Sequence, residues 1–395
     1  MLADKNLLVL TGGMFCLSAC YTMLVPFLPV YLLELGVPQE SVPMWSGLVF
    51  SVTFLVAGVM APIWGKLADN HGKKKMAIRA AVGIGVSYFL GGIVTGPLQL
   101  MGMRAVQGFA NGYMPAAMAL IASSAPKQKL GEYLGIFQTG QIMGGIVGPL
   151  LGGIIAEVFG MRNSFFIAAF MLGGVSLMVH FKVSEKRVAL SVQSKESSIM
   201  DDLRYAMKNR NLMELLTLNF LLQSAVLMLQ PVLALYIGQL QGSMDNVIFL
   251  SGVVLSLGGL AGTITTPWWG RFGQQHGYFK AMSIAFTGAG IFLFLQYFPT
   301  SVMGFGILQF FSGAFIVGAN PSLNAALATC APTDFRGRVF GLSTTAQQFG
   351  NMFGPLFASA ITMFMGIQYV FIITGILLVL LGWRIYMTHL RMTVA

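Results

Sequence analysis

Gly65-Lys-Leu-Ala-Asp69-Asn-His-Gly72-Lys-Lys-Lys75 lies between two long apolar runs and carries four lysines, one aspartate and two glycines. Its frame returns 205 positions later as Gly270-Arg-Phe-Gly-Gln274-Gln-His-Gly277-Tyr-Phe-Lys280. The match extends outward without a gap. Ser46, Gly47, Ser51, Leu55, Pro62 and Trp64 correspond to Ser251, Gly252, Ser256, Leu260, Pro267 and Trp269. The chain therefore reads as two copies of one membrane half, with this loop as the mark of each copy.

Composition agrees. Of 395 residues, 56% are hydrophobic and 9% charged, against about 25% charged in a soluble domain. Too little polar surface remains for a soluble protein, so a polytopic membrane protein is expected. A net charge of +10 would suit nucleic acid only if it formed a patch. Here the basic residues fall in short gaps between apolar runs, which reports topology instead. Cys16, Cys20 and Cys330 lie in or beside apolar runs and read as small buried residues, not as a disulfide framework. The first apolar run is too long for a signal peptide and lacks a clear cleavage site, so it reads as the first span.

At about 20 residues per span, spans are expected near 6–33, 43–65, 76–95, 98–123, 131–156 and 163–182. They resume near 212–237, 246–270, 280–297, 301–328, 336–363 and 367–388. The expected organisation is an all-α integral membrane protein of twelve spans in two parallel six-helix repeats. Its parts are an N-terminal half, 1–182, a polar linker, 183–211, and a C-terminal half, 212–395. Even-numbered gaps hold Lys66, Lys73, Lys74, Lys75, Arg79, Lys127, Lys129, Arg271, Lys280, Arg336 and Arg338, whereas odd-numbered gaps hold almost none except Arg162. The positive-inside rule then places both termini and the linker in the cytoplasm.

Gly65-Lys-Leu-Ala-Asp69-Asn-His-Gly72-Lys-Lys resembles the loop signature of the major facilitator superfamily, and the resemblance covers nearly the whole chain. It implies the fold of that family, with two halves rocking around a central cavity. It also implies that the loop, through Gly65, Asp69 and Gly72, latches the halves together. Gln274 replaces Asp69 in the second copy, so the second latch is expected to be weaker. The other reading of the loop is a plain topogenic charge cluster.

Two further motifs extend the resemblance. Arg104-Ala-Val-Gln107-Gly108-Phe-Ala-Asn111-Gly112 in span four is similar to the family's intramembrane arginine motif. An arginine in a span costs about 2.5–3.5 kcal/mol on insertion scales, so Arg104 is expected to face a cavity or a buried partner. On a regular helix Arg104, Gln107 and Asn111 share one face. The competing reading is a snorkelling interfacial arginine. In span five, Gly144-x3-Gly148-Pro149-x2-Gly152-Gly153 resembles the antiporter motif of proton-coupled exporters. Without that resemblance it is a stripe of small residues for close helix packing. The pattern Pro26-x-x-Pro29-x-Tyr31 in span one is similar to twelve-span drug exporters of the MdtG and PmrA type.

None of the thirteen acidic residues falls in the middle of a span. The site of proton coupling is therefore not evident, and Glu34, Glu132, Glu157 and Glu214 are the nearest candidates. Cavity-lining candidates are Tyr21, Gln107, Asn111, Tyr113, Gln138, Gln141, Asn219, Gln223, Gln230, Asn320, Asn324, Gln347 and Asn351. No phosphate-binding loop, metal-ligand cluster or nucleophile constellation is present in the sequence. The expected function is secondary efflux of amphipathic compounds driven by the proton gradient, in a cell-membrane monomer needing no cofactor. The partners are small molecules, protons and lipids. A dedicated transporter of one metabolite or lipid is the alternative, and a non-transport sensor on the same fold is a remoter one.

Overall fold

A computed structural model describes residues 2–126, 129–185, 199–330 and 336–394, and the side chains of Lys66, Asp69 and Asn70 lie outside what it describes. Lys127 and most of the linker, 186–198, also fall outside it. Regular structure among the described residues is helical throughout.

The loop that marks each copy is a sharp turn between long helices. α3 (Val42–His71) runs into Gly72, whose φ of +99° and ψ of 139° suit only glycine, and α4 (Lys73–Ile93) starts at the next residue. In the second copy Gly277, φ +91°, plays the same part. The free amides of α4's first turn are satisfied from far along the chain. The N–H groups of Lys73 and Lys74 donate to the two Glu185 carboxylate oxygens at 2.9 and 3.1 Å. Lys74 Nζ donates to the His180 carbonyl at 2.7 Å, and Asn6 exchanges two hydrogen bonds with the Ser184 backbone.

α1 (Leu2–Met23) and α2 (Leu28–Glu34) form the first span. α5 (Pro97–Ala110) and α6 (Tyr113–Ser124) are the two pieces of span four. α7 (Leu130–Phe159) and α8 (Met161–Lys182) complete the N-terminal half. α9 (Ile199–Lys208) lies in the linker, followed by α10 (Arg210–Met228), α11 (Leu233–Gln241), α12 (Val247–His276) and α13 (Tyr278–Leu295). α14 (Val302–Cys330), α15 (Arg336–Phe364) and α16 (Tyr369–Val394) close the chain.

Three expectations change in detail. Spans one and seven are not single helices. They break at Leu24–Phe27 and Leu229–Val232, where Pro26 and Pro231 cannot continue the backbone ladder. Span four is interrupted at Asn111 and Gly112. Ten helical stretches among the described residues are long and apolar enough to cross a membrane. The two pieces of span four are each too short to be among them, and α15 carries Gln347, Gln348 and Asn351 in mid-helix.

Contact density divides the chain into two units. One holds α1 to α8 together with Asp245–Ser256, and the other holds α9 to α11 and the chain from Leu257 onward. In the first unit α1 packs on α7, α4 on α8 and α3 on α5. In the second unit α10 packs on α15 and α13 on both α16 and α14. The internal bonds repeat as well. Tyr31 Oη donates to the Gly91 carbonyl at 3.0 Å, and Tyr236 Oη to the Gln296 carbonyl at 3.2 Å. Trp64 Nε1 donates to the Phe109 carbonyl and Trp269 Nε1 to the Ala314 carbonyl, both at 2.7 Å. Phe170, Phe181, Met303 and Phe364 are each at least 75% exposed, as suits side chains facing lipid.

Candidate functional site

Arg104 is the largest fully buried side chain of the chain's described residues, at 1% exposure. α5 places it seven residues past Pro97, and α3 and α1 supply its surroundings. Its Nε donates to the Val49 carbonyl at 3.2 Å and its Nη1 to Gln107 Oε1 at 2.5 Å. The guanidinium carbon lies 5.3 Å from the Phe50 ring centroid and 6.0 Å from that of Tyr21. Rings attract a cation through their negative faces. Among the described residues Arg104 has no ion-pair partner, so a carbonyl, an amide and two rings solvate the charge. Thr53 Oγ1 donates back to the Arg104 carbonyl at 3.1 Å, fixing the helix that carries the guanidinium. The cavity or buried-partner expectation thus resolves to a buried neutral cage, and Arg104 does not snorkel.

The shared face of Arg104 and Gln107 ends at Ala110. Asn111 has left the helix, with φ −56° and ψ 158°, and Gly112 follows with φ +129°. The Asn111 side chain folds back so that its Oδ1 accepts from the Gly112 N–H at 2.7 Å. Tyr113 is buried in the apolar core and donates to the Leu10 carbonyl at 3.5 Å. It joins α6 to α1 instead of lining open space.

The α7 glycines form a packing face. A Cβ at Gly140, Gly144, Gly148 or Gly152 would collide in turn with backbone at Thr11, Phe15, Ala19 and Met23 of α1. Both sets advance by four residues, so one ridge fits one groove. On another side of α7, Gly153 meets Phe249, and a Cβ on Gly252 would strike the Pro149 carbonyl. Ser256 Oγ donates to the Ile146 carbonyl at 2.6 Å. Gly65 has open space around it, whereas a Cβ at Gly72 would approach Glu185 Oε2 at 3.0 Å. Gln138 is exposed and Gln141 half-buried, its carbonyl accepting from Ser18 Oγ at 2.7 Å.

In the second unit, Asn219 Nδ2 donates to Ser343 Oγ at 2.7 Å and Gln223 Nε2 to Asn320 Oδ1 at 3.2 Å. Asn351 Nδ2 donates to Gln348 Oε1 at 3.3 Å, while Asn351 Oδ1 and Gln230 Oε1 are buried without a partner among the described residues. Gln347 is half-buried and Asn324 exposed. Gln309, at the place of Arg104, accepts from Gln296 Nε2 at 2.8 Å. A neutral amide pair therefore stands where the first copy has a charge. Of the acidic candidates, Glu214 pairs with Arg384 at 3.3 Å, and Glu34, Glu132 and Glu157 are exposed.

The family model of the Major Facilitator Superfamily matches residues 10–275 and 249–391. The chain belongs to the Major Facilitator Superfamily. It is 34% identical over 374 residues to the multidrug resistance protein MdtG of Yersinia enterocolitica, covering 94% of this chain and 90% of that protein. To MdtG of Escherichia coli O1:K1 it is 34% identical over 373 residues, covering 94% and 91%. The fold is also that of solved transporters. A mutant of the nucleoside transporter NupG superposes with a TM-score of 0.81 at 16% identity, covering 98% of this chain and 99% of that one. A bacterial homologue of the lysosomal transporter Spinster, inward-facing and occupied, gives 0.81 at 13%, covering 98% and 96%. The protein is thus a multi-pass membrane transporter of the secondary type.

Two residues of this superfamily member escaped the sequence reading. Glu185 sat at the edge of a polar linker and gave no signal of its long-range cap. Arg79 reads in the sequence as one more loop charge. Its Nη2 donates to the Asn111 carbonyl at 2.9 Å and its Nη1 to the Phe109 carbonyl at 3.4 Å. Its guanidinium carbon lies 3.7 Å from the Trp64 ring centroid. The signal was available in Asn111-Gly112, a turn dipeptide inside an apolar run.

Proposed function

We propose that the protein exports amphipathic drugs or toxic compounds by alternating access, driven by the proton gradient, from a cytoplasmic side that holds both termini and residues 183–211. The observation that carries this reading is the buried Arg104 in its cage of rings and neutral acceptors. Its guanidinium offers five N–H donors and no acceptor. It is a fixed positive potential beside an aromatic surface, suited to tuning a neighbouring proton site. The names of the MdtG relatives support drugs as the substrate class, and the α7 glycine face supports an exporter. The loop at Gly65 to Gly72 serves as the latch through Asp69.

Expression in a bacterial host stripped of its own efflux pumps tests the substrate class. Tolerance to several chemically unrelated amphipathic compounds is the expected result, and tolerance to none or to one compound with rejection of its analogues contradicts it. The orientation is checked with single cysteines placed in 183–211. They resist an impermeant thiol reagent on intact cells, and ready labelling reverses the orientation.

A further inference from the structure

We propose that the break at Asn111 and Gly112 is a hinge in span four and that Arg79 is the positioning residue that holds it, an inference that rests on the transport reading above. Unwinding a helix inside a membrane frees carbonyls that no water meets, so other protein groups must satisfy them. Here the Asn111 N–H still reaches the Gly108 carbonyl at 3.2 Å. The Phe109 carbonyl receives Trp64 Nε1 and Arg79 Nη1, and the Asn111 carbonyl receives Arg79 Nη2. The planar guanidinium takes two carbonyls at once while stacked on Trp64, and a lysine ammonium has no equivalent fork. The C-terminal end of α5 also carries partial negative charge, which favours a cation there.

Both pieces of span four pack on α4, and they differ in their other neighbours. α5 is tied to α3 by the Arg104–Val49 and Thr53–Arg104 bonds and by Gly108 pressed on the Thr53 carbonyl. α6 packs on α4, α1 and α7. A change of angle at the break would move Arg104, which is bonded to α3, relative to α6, with α4 as the helix common to both pieces.

The chain's own duplication supplies an internal control. Trp64 and Trp269 make the same bond to the facing helix. Yet 205 positions on, Arg79 becomes Ile284 and Asn111-Gly112 becomes Ile316-Val317. There α14 runs unbroken from Val302 to Cys330. The arginine and the break are present together in one half and absent together in the other. A charge that served topology alone would have no reason to track the break.

The test uses the full chain in lipid nanodiscs, with Cys16, Cys20 and Cys330 replaced by alanine and spin labels at Leu98 and Ala122, both exposed and at opposite ends of span four. Arg79→Gln is expected to broaden the distance distribution, and Arg79→Lys to do nearly the same. Proton-driven uptake of ethidium into everted vesicles is expected to fall at least tenfold in both. Adding Asn111→Leu, Gly112→Ala and Pro115→Ala to Arg79→Gln removes the turn dipeptide and the proline whose missing N–H leaves the residue 111 carbonyl free, so that the span can continue as one helix. This variant should restore a single narrow distance and leave uptake low. An unchanged distance distribution in Arg79→Gln overturns the proposal. So does recovery of uptake in the straightened variant, because the arginine would then only be repairing a dispensable break. If the unmutated protein moves no ethidium, the transport reading fails for that probe, and the label distances alone decide for or against the hinge.

Discussion

The backbone N–H of Lys73 donates to Glu185 Oε1 at 2.9 Å, joining the first turn of α4 to the exit of α8 across 112 positions. With Lys74 on the second oxygen, one carboxylate caps a helix to which it is not adjacent in sequence. The negative charge sits at the positive end of α4. Replacing Glu185 with alanine is expected to cost about 1–2 kcal/mol, the range of a lost helix cap with charge assistance. Thermal unfolding in detergent should shift downward by a few degrees, about 2–4 °C per kcal/mol in a unit of this size. Glu185→Gln should lie between, since one oxygen acceptor survives. An unchanged midpoint in the alanine variant would show that the cap contributes nothing.

The α1–α7 ridge makes a sharper prediction. Gly148→Val would drive a branched side chain into the Ala19 carbonyl and Thr22 Oγ1, so about 1–3 kcal/mol of overpacking is expected. Gly135, on the same helix, has nothing within 4 Å of a built Cβ. Gly135→Ala should therefore be neutral or slightly stabilising, because alanine loses less backbone entropy. Equal losses in the two variants would deny that the motif is a contact face.

The amide pair at the place of Arg104 is tested by a double-mutant cycle. Gln309→Leu strands Gln296 Nε2, leaving it only the 3.4 Å contact to Ser312 Oγ. The loss should be about 1–3 kcal/mol in unfolding measurements. Gln296→Leu combined with Gln309→Leu removes both buried polar groups and should recover most of it. Purely additive losses would mean that the two amides are not coupled.

The duplication, the helical class and the buried arginine were legible because each leaves a pattern in one dimension. Gly72 and Gly277 mark their turns by residue type. The α7 glycines show their face by a spacing of four. The part Arg79 plays at the break in span four is hidden because it lies among lysines and its partners are backbone carbonyls, which carry no sequence signature. The break itself is marked by the turn dipeptide Asn111-Gly112, and only helical periodicity continued through it puts Asn111 on the face of Arg104. Glu185 could not be found because its partners are amides 111 and 112 positions away. The amides Asn219 and Gln223 read as cavity residues, yet each bonds a neighbouring helix of its own unit. In lipid a polar side chain also serves to hydrogen-bond one helix to another.

The central claim is that Arg104 belongs to a proton-coupled export site, and the direct measurement is substrate flux in proteoliposomes under an imposed pH gradient. The unmutated protein should move a fluorescent amphipathic dye against its gradient. Arg104→Lys should retain part of that flux, keeping the charge while losing the Val49 and Gln107 geometry. Arg104→Ala should lose gradient-driven flux and still bind dye when no gradient is applied. Loss of dye binding in Arg104→Ala, or full gradient-driven flux without the arginine, would contradict the account.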